Sequence, residues 1–180
     1  MPFITGRIAP SEDTLLLPGN NERHNLPSAS AMDRIIRCPT SLNIGSRIKV
    51  ARDKKLDGYA KTGSDIHAVL AGEAPIESLT PDHHATVDII SAIEAKIQDD
   101  YDFHGSVEIL REVRIWYAPN GVKKYSGAPD LVMLKPHGHG YRALIINYKT
   151  LWGKQVPIDE NWQMHTEDLL VRLAFPEVQE

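Results

Sequence analysis

A single cysteine, Cys38, stands in a chain of 180 residues. No intramolecular disulfide can form, and no Cys/His quartet with zinc-finger spacing is available. Long apolar runs are missing too. Runs such as Leu15 to Leu17 and Ala143 to Ile146 fall far short of the roughly 20 residues that span a bilayer. The amino terminus has no basic stretch followed by an apolar one, so the expected setting is a reducing cytoplasm with no membrane partner. There is no excess of positive charge: 20 Lys+Arg face 24 Asp+Glu, a formal net charge of −4. That balance argues against a protein that grips polyanions non-specifically by counterion release. A G-x-S-x-G elbow is absent, and Cys38 lies before Pro39 with no histidine nearby, so nucleophilic serine or cysteine chemistry finds no support. Glycine loops of the nucleotide-binding type are absent as well.

What is present describes a globular domain. With 42% hydrophobic and 24% charged residues, the chain can bury a sizeable core, and disorder, collagen and coiled coil are excluded. Charge is nevertheless uneven along it. From Asp33 to Lys55 there are seven basic residues (Arg34, Arg37, Arg47, Lys49, Arg52, Lys54, Lys55) against two acidic ones, a segment suited to facing a polyanion or water. From Ile158 to Glu180 the balance reverses, with six acids against Arg172 alone.

Local signals predict the elements. Residues 1–27 hold Pro2, Pro10, Pro18 and Pro27 without a sustained period, an extended arm with little regular structure. Residues 28–180 read as one domain. Ser28 or Ser30 caps a helix to about Arg37, ended by Cys38-Pro39 because a residue before proline is pushed out of the α region. A second helix is expected from about Thr40 through the basic segment. A short helix follows Gly63-Ser64 from Asp65 to Ala71, and Thr80-Pro81 opens a longer one to about Gln98, with Val87, Ile90, Ile93 and Ile97 at helical spacing.

After Gly105 the period becomes two. A strand from Val107 to Tyr117 would place Val107, Ile109, Val113, Ile115 and Tyr117 on one side and Glu112 on the other. Asn120-Gly121 is a hairpin signal that returns the chain through Lys123 to Leu134, with a break at Gly127 to Pro129. A further turn at Pro136 to Gly140 leads to a strand from Tyr141 to Thr150. Its continuous apolar stretch, Ala143 to Ile146, reads as a central strand covered on both faces. Asp159 or Asn161 then caps an amphipathic helix to about Ala174. The order gives an α+β fold, an α/β sandwich with a three-stranded antiparallel meander and flanking helices.

Chemistry gathers at one end of that meander. Alternate residues of a strand share a face, so Asn147 and Lys149 would point the same way, with Asp130 after Pro129 on the preceding strand and Glu112 of matching parity on the first. A carboxylate, a carboxamide and an ammonium then converge.

Pro129-Asp130 followed by Asn147-Tyr148-Lys149 after a hydrophobic strand resembles the core of the PD-(D/E)xK nucleases, with Asn in the second acidic position. Tyr59 to His67 is similar to the glycine-helix-histidine motif of the RecB-like branch, and Gln163 sits where that branch carries Gln-x-x-x-Tyr. The helix from Ser28 to Cys38 resembles the amino-terminal helix of phage and prophage RecB-like exonucleases. The resemblance covers about residues 28 to 174, in order.

It implies a restriction-endonuclease-like core with a central mixed sheet, and a DNA exonuclease that hydrolyses phosphodiester bonds with Mg²⁺ or Mn²⁺. His67, Asp130, position 147 and the Tyr148 carbonyl would hold the metal. Lys149 would steady the attacking water and Gln163 the substrate backbone or the lysine. Arg34, Arg37, Arg47, Lys49, Arg52 and Trp152 are candidate DNA contacts, Trp152 by stacking on a base. The same resemblance brings with it a bacterial or phage-infected cell, a recombination or single-strand-annealing partner protein, and a homo-oligomer as an assembly. Such a metal wants hard oxygen ligands and keeps waters, one of which becomes the nucleophile.

Two departures stand out. Asn147 is uncharged and offers one weaker oxygen, so metal affinity should fall and the chain should be weak or inactive unless Glu112 substitutes. The residue four after Gln163 is Glu167 rather than Tyr. The alternative is a non-catalytic nucleic-acid or protein-binding module that keeps the nuclease fold, and a hydrolase of small phosphate esters is a third reading.

Overall fold

Asn120 and Gly121 both take positive φ, 54° and 75°, left-handed residues inside the loop that joins Tyr117 to its cross-strand partner Tyr125. The hairpin they close is one of several local features that the computed structural model bears out. It describes residues 8–18, 26–41, 54–106, 108–149 and 156–179, without side chains at 54–57. In chain order the described elements are β1 (Thr14–Pro18), α1 (Met32–Arg37), α2 (Lys54–Leu70), α3 (Pro81–Asp100), β2 (Glu108–Arg111), β3 (Val113–Tyr117), β4 (Tyr125–Gly127), β5 (Leu131–His137), β6 (Gly140–Ile146) and α4 (Trp162–Ala174). The α+β class therefore holds. Contacts group the described residues into two units. A β-rich unit draws on Met1–Lys49, Gly105–Ile146 and Val156–Glu180, and a helical unit on Val50–His104 and Asn147–Gln155.

In the β-rich unit the strands form two three-stranded antiparallel sheets, ordered β1-β3-β4 and β2-β5-β6. The sequence predicts one strand over 107–117; the structure breaks it at Glu112, and its two halves enter different sheets. Glu112 has φ 48°, a left-handed turn that resets the alternation, so Leu110, Ile115 and Trp116 are buried while Ile109 is exposed. The expected central strand is also corrected. β5 occupies the middle of its sheet, with Leu131 to Leu134 buried, whereas β6 pairs with β5 alone among the named strands. No central mixed sheet is found among the described residues. Parallel pairing is confined to single bridges, Ser28 with Ser126 and Tyr141 with Val178.

The arm supplies more order than its prolines suggest. Leu15 to Leu17 pair with β3, and Ser11 is tied to the end of α4 by its N–H to the Ala174 carbonyl (2.8 Å) and its hydroxyl to that of Leu173 (2.6 Å). α4 begins at Asn161, whose Oδ1 accepts the Met164 N–H at 3.2 Å, a cap worth about 1 kcal/mol. Its apolar face sets Leu170, Val171 and Ala174 against Leu110, Ile115, Val132 and Leu134, with Phe175 and Val178 closing the cluster.

The helical unit has its own small core of Ile66, Leu79 and Val87, flanked by Val69, Leu70, Ile76 and Ile90. α2 is much longer than the predicted Asp65–Ala71 segment and runs through Gly58 and Gly63. Glycine weakens a helix interior by only about 1 kcal/mol, which packing readily offsets. α1 stops before Cys38-Pro39 as expected, and α3 begins at Pro81. The Thr80 hydroxyl sits 3.0 Å from His83 Nδ1 and caps no backbone N–H. The helix expected through the basic segment lies, beyond Ser41, outside the described residues up to Lys54.

Candidate metal centre

The corner at Glu112 does more than switch sheets. Its N–H donates to the Asp130 carbonyl at 3.1 Å, one step past the last β2–β5 pair, Arg111 with Leu131. That bond fixes two acidic residues side by side in the β-rich unit. The carboxylates of Glu112 and Asp130 carry oxygens within 4.8 Å of each other. Asp130 is buried and follows a fully buried Pro129, while Glu112 is half-buried. Two oxygen donors at such spacing suit a hard divalent cation, and like charges so close are a liability without compensation.

Asp130 therefore stands where the sequence predicts, at the mouth of β5. Glu112 does not lie on a strand as expected; it reaches the site through its left-handed corner. β6 ends at Ile146, so Asn147, Tyr148 and Lys149 lie beyond the strand, and the alternation that put Asn147 and Lys149 on one strand face does not apply to them. Within the helical unit Asn147 is half-buried, Tyr148 buried and Lys149 exposed.

His67 lies near the end of α2, half-buried. Its ring meets that of Tyr148 edge-on, with centroids 5.9 Å apart and planes at 77°. The Tyr148 hydroxyl donates to Glu94 Oε2 at 2.7 Å, and Gln98 Nε2 donates to Glu94 Oε1 at 3.1 Å. The sequence reading missed Glu94. It follows Val87 and Ile90 at helical spacing, so the buried stripe of α3 passes through an acid at 94, while Ile93, expected in that stripe, is 54% exposed. An acid at a core position of an amphipathic helix was the available signal.

Gln163 is half-buried at the start of α4, and its Nε2 donates to Glu167 Oε1 at 3.1 Å. Glu167, four residues further along the helix, is itself buried, packed close to Gly127. Of the candidate DNA contacts, Arg34 and Arg37 are exposed on α1, and Arg37 pairs with Asp33 at 2.9 Å. Arg47, Lys49, Arg52 and Trp152 lie outside the described residues. No described helix is long and apolar enough to cross a membrane.

No protein-family model matches this chain, and no curated protein or solved structure does so either.

Proposed function

We propose that this protein is a metal-dependent DNA nuclease on a restriction-endonuclease-like core of the PD-(D/E)xK type, weakened by the asparagine at 147. The observation that carries the reading is the Glu112–Asp130 carboxylate pair, locked by the backbone bond between the same two residues. It supplies two hard oxygen ligands for Mg²⁺ or Mn²⁺, and Glu112 restores the charge that Asn147 fails to provide. His67 is the proposed imidazole ligand, on the strength of its place in the glycine-helix-histidine motif, with Asn147 Oδ1 and the Tyr148 carbonyl as further oxygens.

When bound, such a cation acts as a Lewis acid and lowers the pKa of a coordinated water. The remaining work falls to the chain. Asp130 and Glu112 would hold the cation through their carboxylate oxygens and balance its charge. Lys149, exposed at the end of the motif, would steady the attacking water and offset negative charge gathering on the phosphate. Hydrolysis then forms one phosphorus–oxygen bond to water and breaks the bond to the bridging oxygen, leaving a phosphate monoester and a hydroxyl. Gln163, held by Glu167, presents its carboxamide to the substrate backbone, while Arg34 and Arg37 offer positive charge to DNA.

Asn147→Asp tests the reading. The aspartate form should bind Mn²⁺ about tenfold more tightly in calorimetric titration, a gain of about 1.4 kcal/mol, and should cleave single-stranded or duplex DNA faster than the unmodified chain. Lys149→Ala in that background should abolish cleavage and leave Mn²⁺ binding intact. If the aspartate form gains neither property, the nuclease reading is wrong. DNA binding with a steep salt dependence and no need for divalent metal would instead favour the binding module that the neutral Asn147 suggests.

A further inference from the structure

The helical unit buries an acid that the nuclease reading does not use. Glu94 is 7% exposed and Tyr148 8%, and the 2.7 Å bond between them joins α3 to the residue that separates Asn147 from Lys149. Burying a carboxylate in a helix stripe is costly unless its oxygens are hydrogen-bonded. Here one oxygen takes the Tyr148 phenol and the other the Gln98 amide. A leucine at 94 would continue the stripe of Val87 and Ile90 at lower cost. What the acid adds is a fixed phenol, and the ring of that phenol presents its neighbour, the His67 imidazole, with a wall set at 77°.

The geometry points to Glu94 and Tyr148 as positioning residues for His67: Glu94 anchors the Tyr148 hydroxyl, and the anchored ring holds the imidazole in the orientation in which it takes a divalent cation. The inference rests on the proposal that His67 is a metal ligand. It deepens that proposal by naming the outer layer of the site. An imidazole ligand free to turn loses affinity through the entropy of its own ordering, and residues that orient metal ligands typically account for about 10–100-fold in affinity.

The double variant Glu94→Leu/Tyr148→Phe separates this role from simple packing. Replacing both partners of a buried polar pair by apolar groups of similar shape is close to neutral for stability or favourable. The metal-free double variant should therefore unfold in urea at or above the midpoint of the unmodified protein. Its Mn²⁺ affinity, read by electron paramagnetic resonance titration, should nevertheless fall about tenfold, and the His67 ring signals in metal-free nitrogen-15 spectra should shift. Glu94→Gln, which keeps an accepting oxygen, should rescue both readouts to near the unmodified values.

Mn²⁺ affinity within twofold of the unmodified protein, or unmoved His67 signals, would overturn the inference. Should the double variant unfold early, the Glu94→Gln and Tyr148→Phe single variants decide: the first must retain and the second lose the His67 signature. His67→Ala checks the premise separately. If it binds Mn²⁺ as well as the unmodified chain, the imidazole is no ligand and the nuclease site is misassigned. The ring signals of the metal-free protein then report whether Tyr148 orients His67 at all.

Discussion

Glu112 carries its carboxylate on a backbone that L residues avoid. Its φ of 48° costs about 1 kcal/mol relative to an extended or right-handed conformation, and a glycine at that corner would be free of the cost. Strain of this kind persists where the surrounding structure over-determines it. Glu112→Gly should therefore be more stable than Glu112→Ala by about 1 kcal/mol in urea denaturation, while both lose Mn²⁺ affinity by about tenfold or more. Equal Mn²⁺ binding by all three proteins would leave the corner as a purely structural turn. Sequence alternation put Glu112 on a strand face rather than at a corner beside Asp130. It treated 107–117 as one strand, and nothing in the local pattern Leu-Arg-Glu-Val-Arg marks a left-handed residue.

At the scale of elements, two strand pairings make measurable demands. Gly140 opens β6, and a Cβ there would clash with the Glu177 carbonyl oxygen, a backbone atom that cannot turn aside. The same neighbourhood holds the Tyr141 N–H to the Glu177 carbonyl and the Gln179 N–H to the Tyr141 carbonyl, each at 2.9 Å. Gly140→Ala should lower stability by about 1–3 kcal/mol, seen as an earlier urea midpoint. The β3–β4 pair sets Tyr117 opposite Tyr125, with rings 5.4 Å apart. Burial, and the Tyr117 phenol beside it, push the Tyr125 phenol above its ordinary pKa of 10.0. A folded-state pKa above the unfolded one means that stability is intact below about pH 10 and declines as the pH climbs from there through the raised value. Absorbance titration of tyrosinate should show the Tyr125 phenol lagging an ordinary phenol. Tyr125→Phe should remove that lag and soften the alkaline loss of stability.

At the scale of the whole molecule, the proposed metal binding would be linked to folding. The proposed ligands come from separate stretches of chain, so an unfolded chain presents no assembled site. A ligand that binds only the folded state adds about 2.7 kcal/mol at a hundred times its dissociation constant, which for a chain of this length is about 5–10 °C in the thermal midpoint. Mn²⁺ should raise the midpoint of the unmodified protein, raise that of Asn147→Asp further at the same concentration, and leave Asp130→Asn unmoved. A midpoint indifferent to Mn²⁺ in all three would remove the metal from the account.

The sequence by itself determined the features that depend on a few neighbouring residues: the Asn120-Gly121 turn, the stop of α1 at Cys38-Pro39, the start of α3 at Pro81, and Asp130 at the head of an apolar strand; for the cap of α4 it offered Asp159 or Asn161, and the structure uses Asn161. Each follows from backbone preferences that act within a turn or two. Tertiary structure alone decided which strands pair, and therefore that 107–117 divides between two sheets and that β5, not β6, is central. It also decided that Glu94 and Glu167 are buried acids and that Tyr148 leans on His67. Pairing and burial are set by partners distant in the chain, and one hydrophobic stretch serves equally well at the centre of a sheet or at its side until those partners arrive.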